Sequence, residues 1–170
     1  MVKNLEKCLT IFNGANGNRW TMLFAASLGG YKNVVEYMVK CGTEINSADE
    51  DGWTPLLAAS SQSHEKIVEC LVKCGAEINR ADKYGQTPLY AASSQGHENV
   101  VEFLVKCGAE INRADNYGRT PLCAASSQDH EKVFECLVKC VAETNRADKS
   151  GKKHRFTQLP RKVRKKLSNA

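Results

Sequence analysis

Apolar and polar positions along this chain return in the same order every 33 residues. One unit runs as follows. Thr54-Pro55 precedes a short segment, Leu56-Leu57-Ala58-Ala59-Ser60, that is apolar but built largely of small residues. A threonine hydroxyl can cap the free N–H groups of a helix, and proline at the first helical position sacrifices no hydrogen bond. A polar turn at Gln62-Ser63-His64 comes next, then a second segment with Ile67, Val68, Leu71 and Val72. That apolar face is too broad for a helix with a single packing partner. It predicts a helix covered on several sides by its own partner and by neighbouring units. Gly75 predicts a left-handed helix stop. The polar stretch 77–86 that follows predicts a projecting turn with a Tyr-Gly or Asp-Gly tip.

Copies of this pattern fill the blocks 18–50, 51–83, 84–116 and 117–149 without a gap, and blocks 51–83 and 84–116 agree at 25 of 33 positions. The string Ala-Glu-Ile-Asn-Arg-Ala-Asp stands at 76–82 and again at 109–115. Glu and Lys four apart, with Glu first, recur at Glu36/Lys40, Glu69/Lys73, Glu102/Lys106 and Glu135/Lys139. This order predicts intrahelical ion pairs worth about 0.2–0.5 kcal/mol each. Before the first block, Leu5, Cys8, Leu9 and Phe12 fall at helical spacing. They predict a capping helix and loop over 1–17, since outer units of a stack need a polar cover.

The period, Gly-x-Thr-Pro-Leu, Ala-Ala, Gly-His at 96–97, Val-Val-Glu at 100–102 and Cys-Gly-Ala-Glu-Ile-Asn at 107–112 together resemble the ankyrin repeat. The resemblance covers 132 residues. It implies an all-α solenoid of stacked helix-turn-helix units carrying β-hairpin-like fingers, whose concave face binds other proteins. Five positions of the repeat depart from the family pattern. The family's histidine after Thr-Pro-Leu is replaced by Phe24, Leu57, Tyr90 and Cys123, which puts the rigidity between repeats in doubt. The first block has Arg19 and Met22 in place of Gly and Pro. In the fourth block Val141 replaces the helix-stopping glycine and Thr144 replaces Ile, so that stop is expected to weaken.

Charge separates the chain into two parts. Residues 149–170 hold nine Lys/Arg and no acid, whereas residues 1–148 carry a net charge of −4. Residues 150–170 therefore read as a basic, disordered tail. Lys152 and Lys153, ten residues, then Arg164, Lys165 and Lys166 fit a bipartite nuclear import signal read by an import receptor. A second reading of the tail is contact with nucleic acid or acidic lipid by charge alone, without specific recognition. A third is a faint likeness, from Phe156 to Leu167, to the start of a ligase-recruiting SOCS box, with Pro160 where a Cys is expected. A fourth is an inert solvating segment. The N-terminal residues have no secretory pattern, and no apolar run reaches the roughly 20 residues of a membrane span. A cytoplasmic or nuclear location and no membrane insertion are the expectation.

Candidate chemistry changes the picture little. Cys41, Cys74, Cys107 and Cys140 lie 33 apart. Stacked helices stand about 8–10 Å from one another, too far for a disulfide. Cys70/Cys74 and Cys136/Cys140 lack two further zinc ligands. Reduced packing residues are expected, with no metal and no cofactor. His64, His97 and His130 recur at the same interval and read as turn or helix-start residues. Catalysis needs one asymmetric constellation, and the chain offers copies, so no catalytic residue is assigned.

What differs between copies is the finger tips. They read Glu50-Asp51-x-Trp53, Lys83-Tyr84-x-Gln86 and Asn116-Tyr117-x-Arg119, and Trp20 aligns with Trp53. Aromatic residues and Arg at variable, projecting positions suit protein contacts. The resemblance adds the surface of the first helices, at Ser94 and Gln95 and their copies Ser61/Gln62 and Ser127/Gln128. The two tryptophans can instead pack between fingers. The expected function is a monomeric, non-catalytic scaffold that binds a protein partner. The alternative is an adaptor whose tail delivers that partner, by nuclear import or by ligase recruitment.

Overall fold

The computed structural model describes residues 21–147, with side chains through Cys140. The expected capping helix over 1–17 and the basic tail over 150–170 lie outside the described residues. Eight helices follow one another, and among the described residues none forms a strand. They are α1 (Met22–Leu28), α2 (Lys32–Lys40), α3 (Pro55–Ser61), α4 (Glu65–Lys73), α5 (Pro88–Ser94), α6 (Glu98–Lys106), α7 (Pro121–Ser127) and α8 (Glu131–Ala147). Odd-numbered helices stack on one another as an inner row. Even-numbered helices form the outer row, each packed on its own inner partner and on its outer neighbours.

Each inner helix starts as its sequence dictates. The hydroxyls of Thr21, Thr54, Thr87 and Thr120 accept from the N–H of Phe24, Leu57, Tyr90 and Cys123 at 3.1–3.3 Å, and Pro55, Pro88 and Pro121 open the helices that follow. Small residues then let the rows close up. Ala26, Ala59, Ala92 and Ala125 are fully buried, and the outer helices press Val34, Val35, Ile67, Val68, Leu71, Val100, Val101, Leu104 and Leu137 onto them. All belong to one core cluster.

The outer helices α2, α4 and α6 end just before Gly42, Gly75 and Gly108, whose φ angles of +76°, +93° and +90° only glycine adopts freely. Without that glycine, α8 continues unbroken to Ala147. Restoring the stop with Val141→Gly is expected to shorten α8 by up to two turns, read as lost helical circular dichroism. An unchanged spectrum would mean that the helix is held by something other than the missing stop.

The repeats are tied together by histidine. Nε2 of His64, His97 and His130 lies 3.0, 3.0 and 3.1 Å from the backbone oxygens of Leu28, Ser61 and Ser94, each in the repeat before. A carbonyl oxygen only accepts, so Nε2 carries the proton in all three. His64 and His97 stand at the N-cap positions of α4 and α6, as helix-start residues, but their side chains make no cap bond there. Their recurrence reflects a clamp between repeats, one hydrogen bond at each joint.

Among the ion pairs expected along the helices, Glu69–Lys73 and Glu102–Lys106 form at 3.7 and 3.4 Å. Glu36 pairs instead with Lys32, one turn earlier, at 3.4 Å. All are solvent-exposed and contribute little. The cysteines also differ from expectation. Cys41, Cys74 and Cys107 are exposed rather than packed in the core.

Candidate functional site

Each finger is built on one aspartate. Oδ1 of Asp49, Asp82 and Asp115 accepts from the backbone N–H two and four residues later, at 2.8–2.9 Å. The aspartate's own N–H closes the turn on the carbonyl four residues on, Trp53, Gln86 and Arg119. This is an Asx turn extended by one residue. It pushes the two residues after the aspartate out into solvent.

Neighbouring fingers are then laced side by side. The N–H of Lys83 donates to the Asp51 carbonyl and that of Asn116 to the Tyr84 carbonyl, both at 2.9 Å. The Asn116 side chain adds a bond to the Lys83 carbonyl, and the Lys83 ammonium meets the Asp51 carboxylate. Below the tips, the Asn46 and Asn79 side chains accept from the N–H of Glu77 and Glu110. The fingers hence form a fixed row rather than independent loops.

Along this row the structure assembles five of the residues singled out by sequence: Lys83, Tyr84, Asn116, Tyr117 and Arg119. Tyr84 is 43% exposed and Tyr117 is 70% exposed, so the two tyrosines project. The Lys83 ammonium lies 5.1 Å from the Tyr84 ring centre. The Arg119 guanidinium lies 5.0 Å from the Tyr117 ring and 5.8 Å from that of Tyr90 on α5. It also grips Asp115, with Nε and Nη2 at 2.8 and 2.7 Å from Oδ2.

Charge at this point is balanced. Burial pushes the Asp115 carboxyl up, but the N–H groups and guanidinium of Arg119, with the N–H of Tyr117, hold it below the usual carboxylate range. Burial, with the Asp115 charge beside it, raises the Tyr90 phenol. Arg119 is bonded to Asp115 and keeps its proton. Around Arg119 the site presents flat aromatic surface and hydrogen-bonding groups with little net charge.

Other residues singled out by sequence lie differently. Trp53 is half-buried, and Gln86 is half-buried too. Gln95 is exposed at the end of α5. The Ser94 hydroxyl donates to the Ala91 carbonyl and its own carbonyl holds His130, so much of its polar capacity is already engaged. Its copy Ser61 is buried. Trp20 and the tail residues Lys152, Lys153, Arg164, Lys165 and Lys166 lie outside the described residues. Asp51, one of the tip residues, joins the site through Lys83; Asp115 and Tyr90 complete it and were not singled out as contact residues. The 33-residue recurrence of Asp49, Asp82 and Asp115 was the available signal for the turn.

The outer row has a groove of about 560 Å³ between α6 and α8, lined by Glu98, Glu102, Val105, Lys106, Lys132, Glu135, Cys136, Lys139 and Cys140. Burial, the neighbouring Cys140 and the nearby glutamates push the Cys136 thiol up to about 11. At neutral pH it is protonated and a poor nucleophile. Among the described residues no three His, Cys, Asp or Glu side chains stand together as a metal site, and no helix is long and apolar enough to cross a membrane.

A family model of ankyrin repeats (three copies) matches residues 2–82 and again residues 78–148. No curated protein matches the chain closely enough to count as a relative.

Proposed function

Because the chain belongs to the ankyrin-repeat family, whose members generally serve as protein–protein interaction modules, we propose that it is a non-catalytic scaffold holding a protein partner on the concave face. The finger row and the ends of the inner helices make up that face. The observation that carries this reading is the fixed row of fingers with Tyr84 and Tyr117 projecting from it. Tyrosine supplies large contact area at low entropic cost, since only two side-chain torsions are ordered on binding. The lacing means that the backbone beneath is ordered before a partner arrives, which reduces the cost of association.

The partner is expected to bind a single copy of the chain. Replacing both tyrosines, Tyr84→Ala/Tyr117→Ala, should weaken capture of the partner by more than tenfold, as truncation of central aromatic anchors does. Both side chains are exposed, so thermal unfolding should stay within a few degrees of the unaltered chain. Retained capture by a folded double variant would place the binding face elsewhere.

The tail supports a second, compatible role. A body of net charge −4 joined to a segment with nine Lys/Arg and no acid suits an adaptor in which the repeats hold the partner and the tail addresses the complex to an import receptor or, less in keeping with its spacing, to a ubiquitin ligase. Neutralising Lys152, Lys153, Arg164, Lys165 and Lys166 should move the protein from nucleus to cytoplasm without changing capture. Unchanged distribution and unchanged partner turnover would remove the adaptor role.

A further inference from the structure

We propose that Asp82 marks a notch on the finger row that receives an arginine side chain of the protein partner. The inference rests on the concave-face reading and adds the chemistry of one contact. Asp82 is 7% exposed. Its Oδ1 is committed to the N–H groups of Tyr84 and Gln86, while its buried Oδ2 has no hydrogen-bond partner. A buried carboxylate oxygen left unpaired is costly. Its isolation has a cause that can be read from the neighbouring repeat.

At Asp115 the same oxygen is held by Arg119, which lies between the Tyr117 ring and the Tyr90 ring. At Asp82 the position of Arg119 is taken by Gln86, that of Tyr117 by Tyr84 and that of Tyr90 by Leu57. The carboxylate and the tip aromatic are kept, and the cation is missing. Lys83 does not supply it, since its ammonium is engaged with Asp51. A guest guanidinium entering beside Tyr84 would reproduce the carboxylate and tip-ring contacts of Arg119, without the second ring that Tyr90 supplies there. Its planar fork and its affinity for an aromatic face favour arginine over lysine.

The test is a titration of the ¹⁵N-labelled full-length chain with acetyl-Gly-Arg-Gly-amide and with the citrulline counterpart, which has the same shape without the charge. The amides of Tyr84 and Gln86 report on the notch because they bond to Asp82. They should shift saturably with the arginine peptide and at least tenfold more weakly with the citrulline peptide. Gln86→Arg, which fills the notch from within as Arg119 does, should abolish the response and leave the rest of the spectrum in place. An equal response to citrulline, a response centred on other amides, or a response that survives Gln86→Arg would overturn the proposal. If R155Q/R161Q/R164Q in the full chain moves the Tyr84 and Gln86 amides before any peptide is added, the chain's own tail fills the notch and the assignment to a partner falls. None of these failures touches the tyrosine test of the concave face, which would stand or fall on its own.

Discussion

Leu71→Ala should lower the stability of the folded chain by about 2–5 kcal/mol. Leu71 sits on α4 with no exposed surface, in the cluster shared by all four helix pairs. Removing its branched end deletes apolar burial and leaves a cavity, because α4 is held by α3 on one side and by α2 and α6 on the others and cannot collapse inward freely. Domains are stable by only about 5–15 kcal/mol, so the loss is a large fraction of the whole. A solenoid touches only its neighbours, so a weak inner repeat also separates the two ends. The urea midpoint should fall sharply, and the transition should broaden as the ends unfold apart. Lys73→Ala, two residues on and exposed, should stay within about 0.5 kcal/mol. A Leu71 variant as stable as the Lys73 variant would mean that the core is not packed as described.

His97→Ala is expected to cost about 1–3 kcal/mol, the range for stranding a buried hydrogen-bonding group. The Ser61 carbonyl would lose the donor that joins the second and third pairs of helices, and Ser61 itself is buried. The loss falls between repeats rather than within one. It should therefore appear less in helical signal at zero denaturant than in faster amide exchange at the end of α3 and the start of α6, which the clamp joins. His97→Gln, which keeps a side-chain donor, should recover part of the loss. A shift below about 0.5 kcal/mol with unchanged exchange would make the histidine a bystander.

Much of this architecture is legible in the chain because its causes are local. Thr54-Pro55 starts a helix wherever it occurs, Gly75 stops one, and a fixed interval places like beside like. The extension of α8 follows equally from one missing glycine at Val141. What escapes the sequence is contact whose second partner has no identity to read. His97 bonds a backbone carbonyl 36 residues earlier, and any residue offers a carbonyl. Arg119 and Asp115 are four apart, a spacing that suggests a helix pair, yet they meet across a tight turn made by the aspartate itself. The Ser94 hydroxyl looks free in the sequence and is used by its own helix. At the site, the variable tips were legible as candidates, but how far each one projects was not. Tyr117 and Tyr84 stand out, while Trp53, the larger ring, is half-buried.

Two exposed tyrosines, one on the finger row and one on the outer row of helices, allow the most direct test. Tyr117 on the fingers is 70% exposed and Tyr37 on the outer helix α2 is 57% exposed, so accessibility barely separates them. A photo-crosslinking amino acid placed at each position in turn should trap the partner from position 117 and leave position 37 uncoupled. Coupling from position 37 with none from position 117 would contradict the account.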